Sequence, residues 1–381
     1  MRVLVLHSRY SSGSTSGENR VVEDEVRLLQ DAGHDVTAWT PEHRPGLGGI
    51  RPAADAIWSR SAAAHVEELI TRCSPDVAHV HSLYPRLSPA ILRALSAAGV
   101  PTVMTLHNFR LVCLPATLLR DGRICEDCLG KVPWRGVVHR CYRDSLAGST
   151  ALATSIALHR AARTFRETTL FAAVSDFVRR KLVQGGLDAA RIRVRNNFAW
   201  PSPPREGPGE TFVFAGRLSP EKGLDLLVES WSSRFPLVVV GDGPERERLT
   251  SAARSGVKFV GTVNPAQIPS VLRQARALVV PSQCYEGSPR VIVEALAAGV
   301  PVIASDLGGL PEHVLHGSSG LLVPARDRDA WGAAVESLED DSESMRLGEG
   351  AVRSWEADFS PPVSLRGLES LYAEAIRASD S

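Results

Sequence analysis

The stretch from Glu286 to Pro301 has residue types and spacing suited to holding a phosphorylated ligand. Ser288 suits a helix N-cap and Pro289 the first helical position, which predicts a helix running to Gly299. Its start would leave backbone N–H groups at Gly287 and Ser288 at the positive end of a helix dipole, a site for a diphosphate. Glu294 lies about one and a half turns further on. Helical side chains lean toward the N-terminus, so it can reach back to a pair of ribose hydroxyls. Glu286, just before the helix, is expected to face the same ligand. A carboxylate satisfied within the fold is the plainer reading of Glu294.

Two cations precede that stretch. Arg217 and Lys222 stand five residues apart, directly after the apolar run Phe212 to Ala215. Open sheets bind ligands beyond their strand ends, where Arg217 offers a bidentate fork and Lys222 a point charge to one diphosphate. An isolated pair of this kind is also what a solvated surface looks like. Gly241 and Gly261 close the next two apolar runs. Any tight strand-to-helix turn favours glycine, and together the two line one sheet edge. In the first half, His107 follows a strand in Leu106-His107-Asn108. Ser16-Gly17-Glu18-Asn19 closes a Ser/Gly-rich loop that begins at Ser11 and has the size to wrap a phosphate. A lone histidine after a strand is ordinarily structural or merely exposed.

The elements that must position these residues alternate. Val3–Leu6, Asp35–Trp39, Val77–Val80 and Val100–Leu106 read as short buried strands, separated by helical patterns such as 62–73 and 89–98. A second series comprises 212–215, 237–240, 257–260, 278–281 and 302–304. Such alternation implies parallel sheets covered by helices. Between the series, the Pro- and Gly-rich run from Trp200 to Gly209 reads as a linker, and Asn196-Asn197 as a junction turn. The expected organisation is an N-terminal domain over 1–200, with an insertion at about 108–145, and a second domain over 201–359. A C-terminal helix at about 360–381 should pack back on the first. The acidic, Ser-rich stretch from Glu336 to Glu343 reads as a solvated helix end.

The insertion carries four of the six cysteines: Cys113, Cys125, Cys128 and Cys141. Cys125-Glu126-Asp127-Cys128 has the two-residue spacing of thiolate zinc sites, and the flanking pair completes a tetrahedral set. Structural zinc, free thiols and disulfides all remain open. Trp134, Arg135, His139, Arg140 and Arg143 make the same segment basic, so it would meet an anionic acceptor or a membrane surface, or else form a solvated face.

At 381 residues the chain exceeds the roughly 250–300 at which single cores stop growing. Its apolar share of 44% and charged share of 23% are ordinary for a soluble protein. Lys plus Arg and Asp plus Glu both count 43, so the global charge expected of a nucleic-acid binder is missing. No apolar run approaches the roughly 20 residues that span a bilayer, and the apolar start is too short for a signal peptide. A cytoplasmic protein is expected, with peripheral attachment to the inner membrane face as an option and the oligomeric state left open.

On these residues the chain resembles the retaining family 4 glycosyltransferases of the GT-B fold, most clearly over Thr211 to Pro324, with Arg217, Lys222, Glu286 and Glu294 in order. The resemblance implies an α/β fold of two Rossmann-like, doubly wound domains facing a central cleft, with a nucleotide-sugar donor between them. It implies that Arg217 and Lys222 neutralise the donor diphosphate, that Glu286 lies beside the donor sugar, and that Glu294 holds the ribose. It also makes Ser16-Gly17 the counterpart of a Gly-Gly pair near the leaving phosphate, and His107 a sugar-contacting residue. Transfer to a sugar, lipid or small-molecule hydroxyl would proceed by front-face substitution with no catalytic metal, charge being neutralised by cations and helix N–H groups. Two other readings compete: a two-domain dinucleotide oxidoreductase, whose G-x-G-x-x-G spacing the first loop lacks, and a zinc-stabilised nucleic-acid module.

Overall fold

The computed structural model describes residues 1–9, 17–42, 55 and 57–379. Residues Ser11 to Ser16 of the expected phosphate loop lie outside this set. The chain divides into two compact units. The first comprises 1–118, 125–195 and 365–381, and the second 119–124 and 196–364.

In the first unit, strands β1 (Arg2–Leu6), β2 (Asp35–Trp39), β3 (Val77–Val80) and β4 (Thr102–Leu106) are joined by helices α1 (Gly17–Asp31), α2 (Arg60–Cys73) and α3 (Ala90–Ala97). A hairpin of two-residue strands, β5 (Leu119–Arg120) with β6 (Arg123–Ile124), belongs to the second unit, and the chain then continues in the first with helices α4 (Trp134–Val138) and α5 (Leu146–Ala161). Then come β7 (Leu170–Ala173), α6 (Asp176–Gln184) and β8 (Ile192–Val194). The sheet order is β2-β1-β3-β4-β7-β8, all parallel. Its central strands β3 and β4 are mostly apolar, with His79, Thr102 and Thr105 the polar exceptions, and every residue of both is buried, as parallel strands covered by helices should be. The order reverses between β1 and β3, so the loops leaving those two strands part company and open a crevice at their carboxyl ends.

The second unit repeats the scheme with β9 (Thr211–Ala215), β10 (Leu237–Val240), β11 (Val257–Gly261), β12 (Ala275–Val280), β13 (Val302–Ser305) and β14 (Gly320–Val323), ordered β11-β10-β9-β12-β13-β14. Val213 of β9 sits opposite Val238 on one side and Leu278 on the other. The reversal falls between β9 and β12. Helices α7 (Asp225–Val228), α8 (Arg246–Ala252), α9 (Ile268–Arg273), α10 (Arg290–Ala297), α11 (Leu310–His313), α12 (Arg328–Ser337) and α13 (Asp341–Ser354) accompany the strands. The acidic stretch at 336–343 ends one helix and starts the next: Asp340 caps α13 by accepting from the Glu343 N–H.

The Pro-rich run at 200–209 is fastened to the second unit and is no free tether. Arg205, 7% exposed, donates to the carbonyls of Pro208, Ala275, Arg276 and Ser344. Burial, reinforced by the nearby Arg276 charge, lowers its pKa to about 10. Helix α14 (Pro361–Ser379) leaves the second unit and from Leu365 onward belongs to the first. There Tyr372 is fully buried and Glu374 pairs with Arg193.

Candidate active site

In the second unit, loops from both strands at the order reversal converge. After β9 the chain passes Gly216 and the exposed Arg217, then makes a short 3-10 turn, Pro220–Lys222. After β12 it runs Pro281 to Ser288. Lys222 Nζ donates to Glu286 Oε1 at 2.6 Å, and the Ser282 hydroxyl donates to the same oxygen at 2.8 Å. Burial alone would raise the Glu286 pKa, but the Lys222 ammonium and these donors overcome it and hold the carboxyl below its usual range. Lys222 responds in kind: burial opposes its charge, Glu286 outweighs burial, and its pKa rises. Two of the expected residues thus form one ion pair, while among the described residues Arg217 has no hydrogen-bond or ion-pair partner.

Glycines make the convergence tight. A side chain at Gly241, whose φ is +134°, would meet the Gly216 carbonyl oxygen at 1.8 Å. The Gly241 N–H donates to the carbonyl of Gly261, which joins the turns after β9, β10 and β11.

The helix start differs from expectation. α10 begins at Arg290, Pro289 is its N-cap with extended backbone, and the Ser288 side chain does not cap. That hydroxyl instead meets His313 Nε2 at 2.8 Å, while Nδ1 of the same ring meets the Gly309 carbonyl. A buried imidazole took the hydroxyl that local sequence assigned to the cap. The segment is pinned further by the Gly309 N–H on the Glu286 carbonyl and by the Asn197 amide on the Ser288 carbonyl. Gly308 (φ +67°) lies so close to Glu286 that a Cβ would sit 3.0 Å from its nitrogen. Glu294 lies on α10, its side chain 16% exposed, and accepts from Arg290 Nε at 2.7 Å.

In the first unit the crevice between β1 and β3 is lined by histidines. Glu18, in the first turn of α1 next to Gly17, accepts from Ser82 after β3 (2.7 Å) and from Asn108 after β4 (2.6 Å). Burial opposes its charge, but His107 and these donors keep its pKa low. His107 Nε2 lies 2.9 Å from His81 Nδ1, and the two rings stack. His81 Nε2 faces Glu25 Oε2 at 3.7 Å, and the other Glu25 oxygen pairs with Arg195. A proton on His81 Nε2 suits that carboxylate. His81 Nδ1 is then an acceptor, His107 must donate through Nε2, and His107 Nδ1 is left as an acceptor. Burial, the largest cause for each, lowers the pKa of His7, His79, His81 and His107. His81, His107, Asn108, Tyr84 and Arg110 line a recess.

Glu25, His79 and His81 bring their ligand-type atoms within 4.8 Å of one another. Arg195 already neutralises Glu25, and both His79 nitrogens are spent, on Tyr372 at 2.8 Å and Thr105 at 2.7 Å. Glu25 Oε2 and His81 Nε2, 3.7 Å apart, are both buried without a hydrogen-bond partner of their own. The four insertion cysteines form no disulfide, with Cys113 buried and Cys125, Cys128 and Cys141 half-buried, and among the described residues the only trio of ligand-type side chains within 4.8 Å of one another is Glu25, His79 and His81.

Sequence reasoning passed over His81, Glu25, Arg290 and His313, and treated Glu18 only as part of a loop. Buried ion pairs and histidine chains join residues far apart in sequence, so no local spacing announces them. The available signal was His79-Val80-His81, one histidine on an otherwise apolar strand and a second just past its end.

Residues 15–199 match the family described as Glycosyltransferase Family 4, and residues 209–341 the one described as Glycosyl transferases group 1. A glycogen synthase of Mycobacterium tuberculosis is 32% identical across 98% of this chain and 87% of its own. A phosphatidyl-myo-inositol mannosyltransferase of Mycolicibacterium smegmatis is 28% identical over 89% and 85%. Among solved structures, sucrose-phosphate synthase from Thermosynechococcus elongatus superposes with a TM-score of 0.72 at 19% identity, covering 99% of this chain and 100% of its own. Anabaena HepE in complex with UDP superposes with a TM-score of 0.67 at 20% identity, covering 98% and 100%. The oxidoreductase and nucleic-acid readings give way, since the chain belongs to the family 4 glycosyltransferases, has their GT-B fold, and is a glycosyltransferase.

Proposed function

We propose that the enzyme transfers a sugar from a nucleoside diphosphate sugar to an acceptor hydroxyl with retention of anomeric configuration and without a catalytic metal. The observation that carries the reading is the meeting of Lys222 and Glu286 at the β9/β12 reversal, with the exposed Arg217 on the same loop after β9. Loops at such a reversal are where open α/β sheets bind nucleotides. Arg217 and Lys222 offset the charge that grows on the departing diphosphate, Glu286 orients the donor sugar through its remaining lone pairs, and Glu294 with Arg290 supports the ribose. Gly17 lets the start of α1 approach the leaving phosphate. In the first unit His107 Nδ1 accepts a hydrogen bond from a sugar hydroxyl. Relatives fit this donor class: one is called a GDP-mannose-dependent mannosyltransferase, and HepE was solved with UDP-glucose. Six thiols with no disulfide suit a reducing, cytoplasmic setting.

A screen of uridine, guanosine and adenosine diphosphates should raise the melting temperature with one base, since a ligand at 100 times its Kd adds about 2.7 kcal/mol. Turnover with the matching sugar should persist in EDTA and give a product of the donor's anomeric configuration by NMR. No shift with any diphosphate, or an inverted product, overturns the proposal. We also propose that Cys113, Cys125, Cys128 and Cys141 hold one structural zinc. Purified protein should then contain about one equivalent, and zinc well below that with all six thiols titratable would end it.

A further inference from the structure

Helix α5 has two unlike faces. Inward, Ser155 hydrogen-bonds the hydroxyl of Tyr84, a wall of the His107 recess, at 3.1 Å. Outward, Leu146, Thr150, Thr154 and Leu158 recur every fourth residue, and all are exposed. None is charged. Thr150 turns its hydroxyl onto the Leu146 carbonyl at 2.8 Å, which satisfies its polar group within the helix and leaves its methyl to the outer face. Helix α4 runs back along α5: the Cys141 N–H returns to the Gly136 carbonyl, the Ser149 hydroxyl accepts from the Tyr142 N–H, and Arg160 near the far end of α5 donates to the Lys131 carbonyl. Along this pair Val132, Trp134, Val138, Leu146 and Leu158 are 52 to 63% exposed. Trp58, 41% exposed, stacks on His159 at the end of α5.

Ordinary surfaces scatter their exposed apolar residues singly, whereas a rimmed apolar patch marks a docking site. The rim here is cationic. From Lys131 to Arg163 the sequence carries six Lys and Arg against one acid, Asp144, in a chain whose totals balance at 43 each. Arg143 spreads over the Tyr142 ring at 5.4 Å, and Arg135 lies over the Trp134 ring at 5.6 Å while also donating to Asp127 at 3.3 Å, so both cations stand beside the apolar face.

We propose that the α4–α5 face docks on an anionic lipid bilayer, with Trp134, Val138 and Leu158 entering the headgroup boundary and Arg135, Arg140 and Arg143 meeting lipid phosphates. Tryptophan at the edge of an apolar patch with a cationic rim is the composition that lies in a membrane interface. A second copy of this chain would bring the same six cations against themselves, so charge complementarity favours lipid. Such docking sets the recess side of α5 toward the protein interior while its other side touches the lipid. It does not depend on the donor reading.

The test is co-flotation of the full chain with phosphatidylcholine vesicles and with vesicles also containing about 30 mol % phosphatidylglycerol. The protein should float with the anionic vesicles only. Val138→Asp with Leu158→Asp should cut the bound fraction at least tenfold. A second variant, Arg135→Glu with Arg140→Glu and Arg143→Glu, touches no packed apolar residue and should do the same, at about fivefold per charge lost. Thermal shift by the nucleoside diphosphate should be unchanged in both variants, which separates loss of docking from loss of fold. Equal flotation with neutral vesicles, no flotation with either, or a dimer by light scattering that Val138→Asp abolishes would each overturn the proposal, the last in favour of a second copy.

Discussion

Arg217 is the cleaner probe of charge neutralisation, because it has no partner among the described residues while Lys222 is bound to Glu286. Arg217→Ala should therefore lower kcat by about 10²- to 10³-fold, as loss of one preorganised transition-state donor does, with an unchanged denaturation midpoint. Lys222→Ala should lower both, since it strands the Glu286 carboxylate, whose side chain is only 15% exposed. A ribose contact acts in ground and transition states alike, so Glu294→Ala should raise the donor KM by about tenfold with kcat little altered. Steady-state kinetics with urea melts on the same samples checks all three. An unchanged donor KM would remove Glu294 from the ribose.

Elements explain how much was legible. Leu237–Val240 was readable to the residue because a buried parallel strand is an unbroken apolar run, and Val77–Val80 was readable despite His79 within it. The start of β12 was not, because Arg276 interrupts the run. Its guanidinium leaves the sheet to reach the carbonyls of Gly209 and Leu338, which no local pattern reports. The linker reading of 200–209 missed the structure for the same reason: Pro and Gly predict irregular backbone, and only Arg205's distant carbonyl partners show that it is fixed. Arg205→Met should therefore cost at least about 2 kcal/mol by leaving several buried carbonyls without donors. Gly241→Ala should cost about as much through its clash with the Gly216 carbonyl, and should also disturb nucleotide binding. Chemical denaturation measures both costs. Arg217, Lys222, Glu286 and Glu294 were singled out by spacing; the Lys222–Glu286 and Arg290–Glu294 pairs were not.

For the whole molecule, His7, His79, His81 and His107 of the first unit make stability depend on pH. Their folded pKa values lie below the ordinary 6.5, so in acid the unfolded chain binds more protons than the folded one. Stability is then fully present above about pH 6.5 and falls as the pH drops through the folded values. Calorimetry should show a melting temperature that is flat from pH 7 to 8 and declines from pH 6.5 to 5. His79→Gln should lessen the decline, and no decline would mean that these rings are protonated in the folded state. His79 also marks the order in which the protein is assembled. Its partner Tyr372 lies 293 positions downstream, on the part of α14 that returns to the first unit. A ribosome releases the strands of the first sheet first, yet the tyrosine that closes their core is made only after the whole of the second unit. During synthesis the second unit can complete its sheet while the first still exposes the surface α14 will cover. The earlier-made half is thus the later to mature, and chaperones meeting the nascent chain would find their target there.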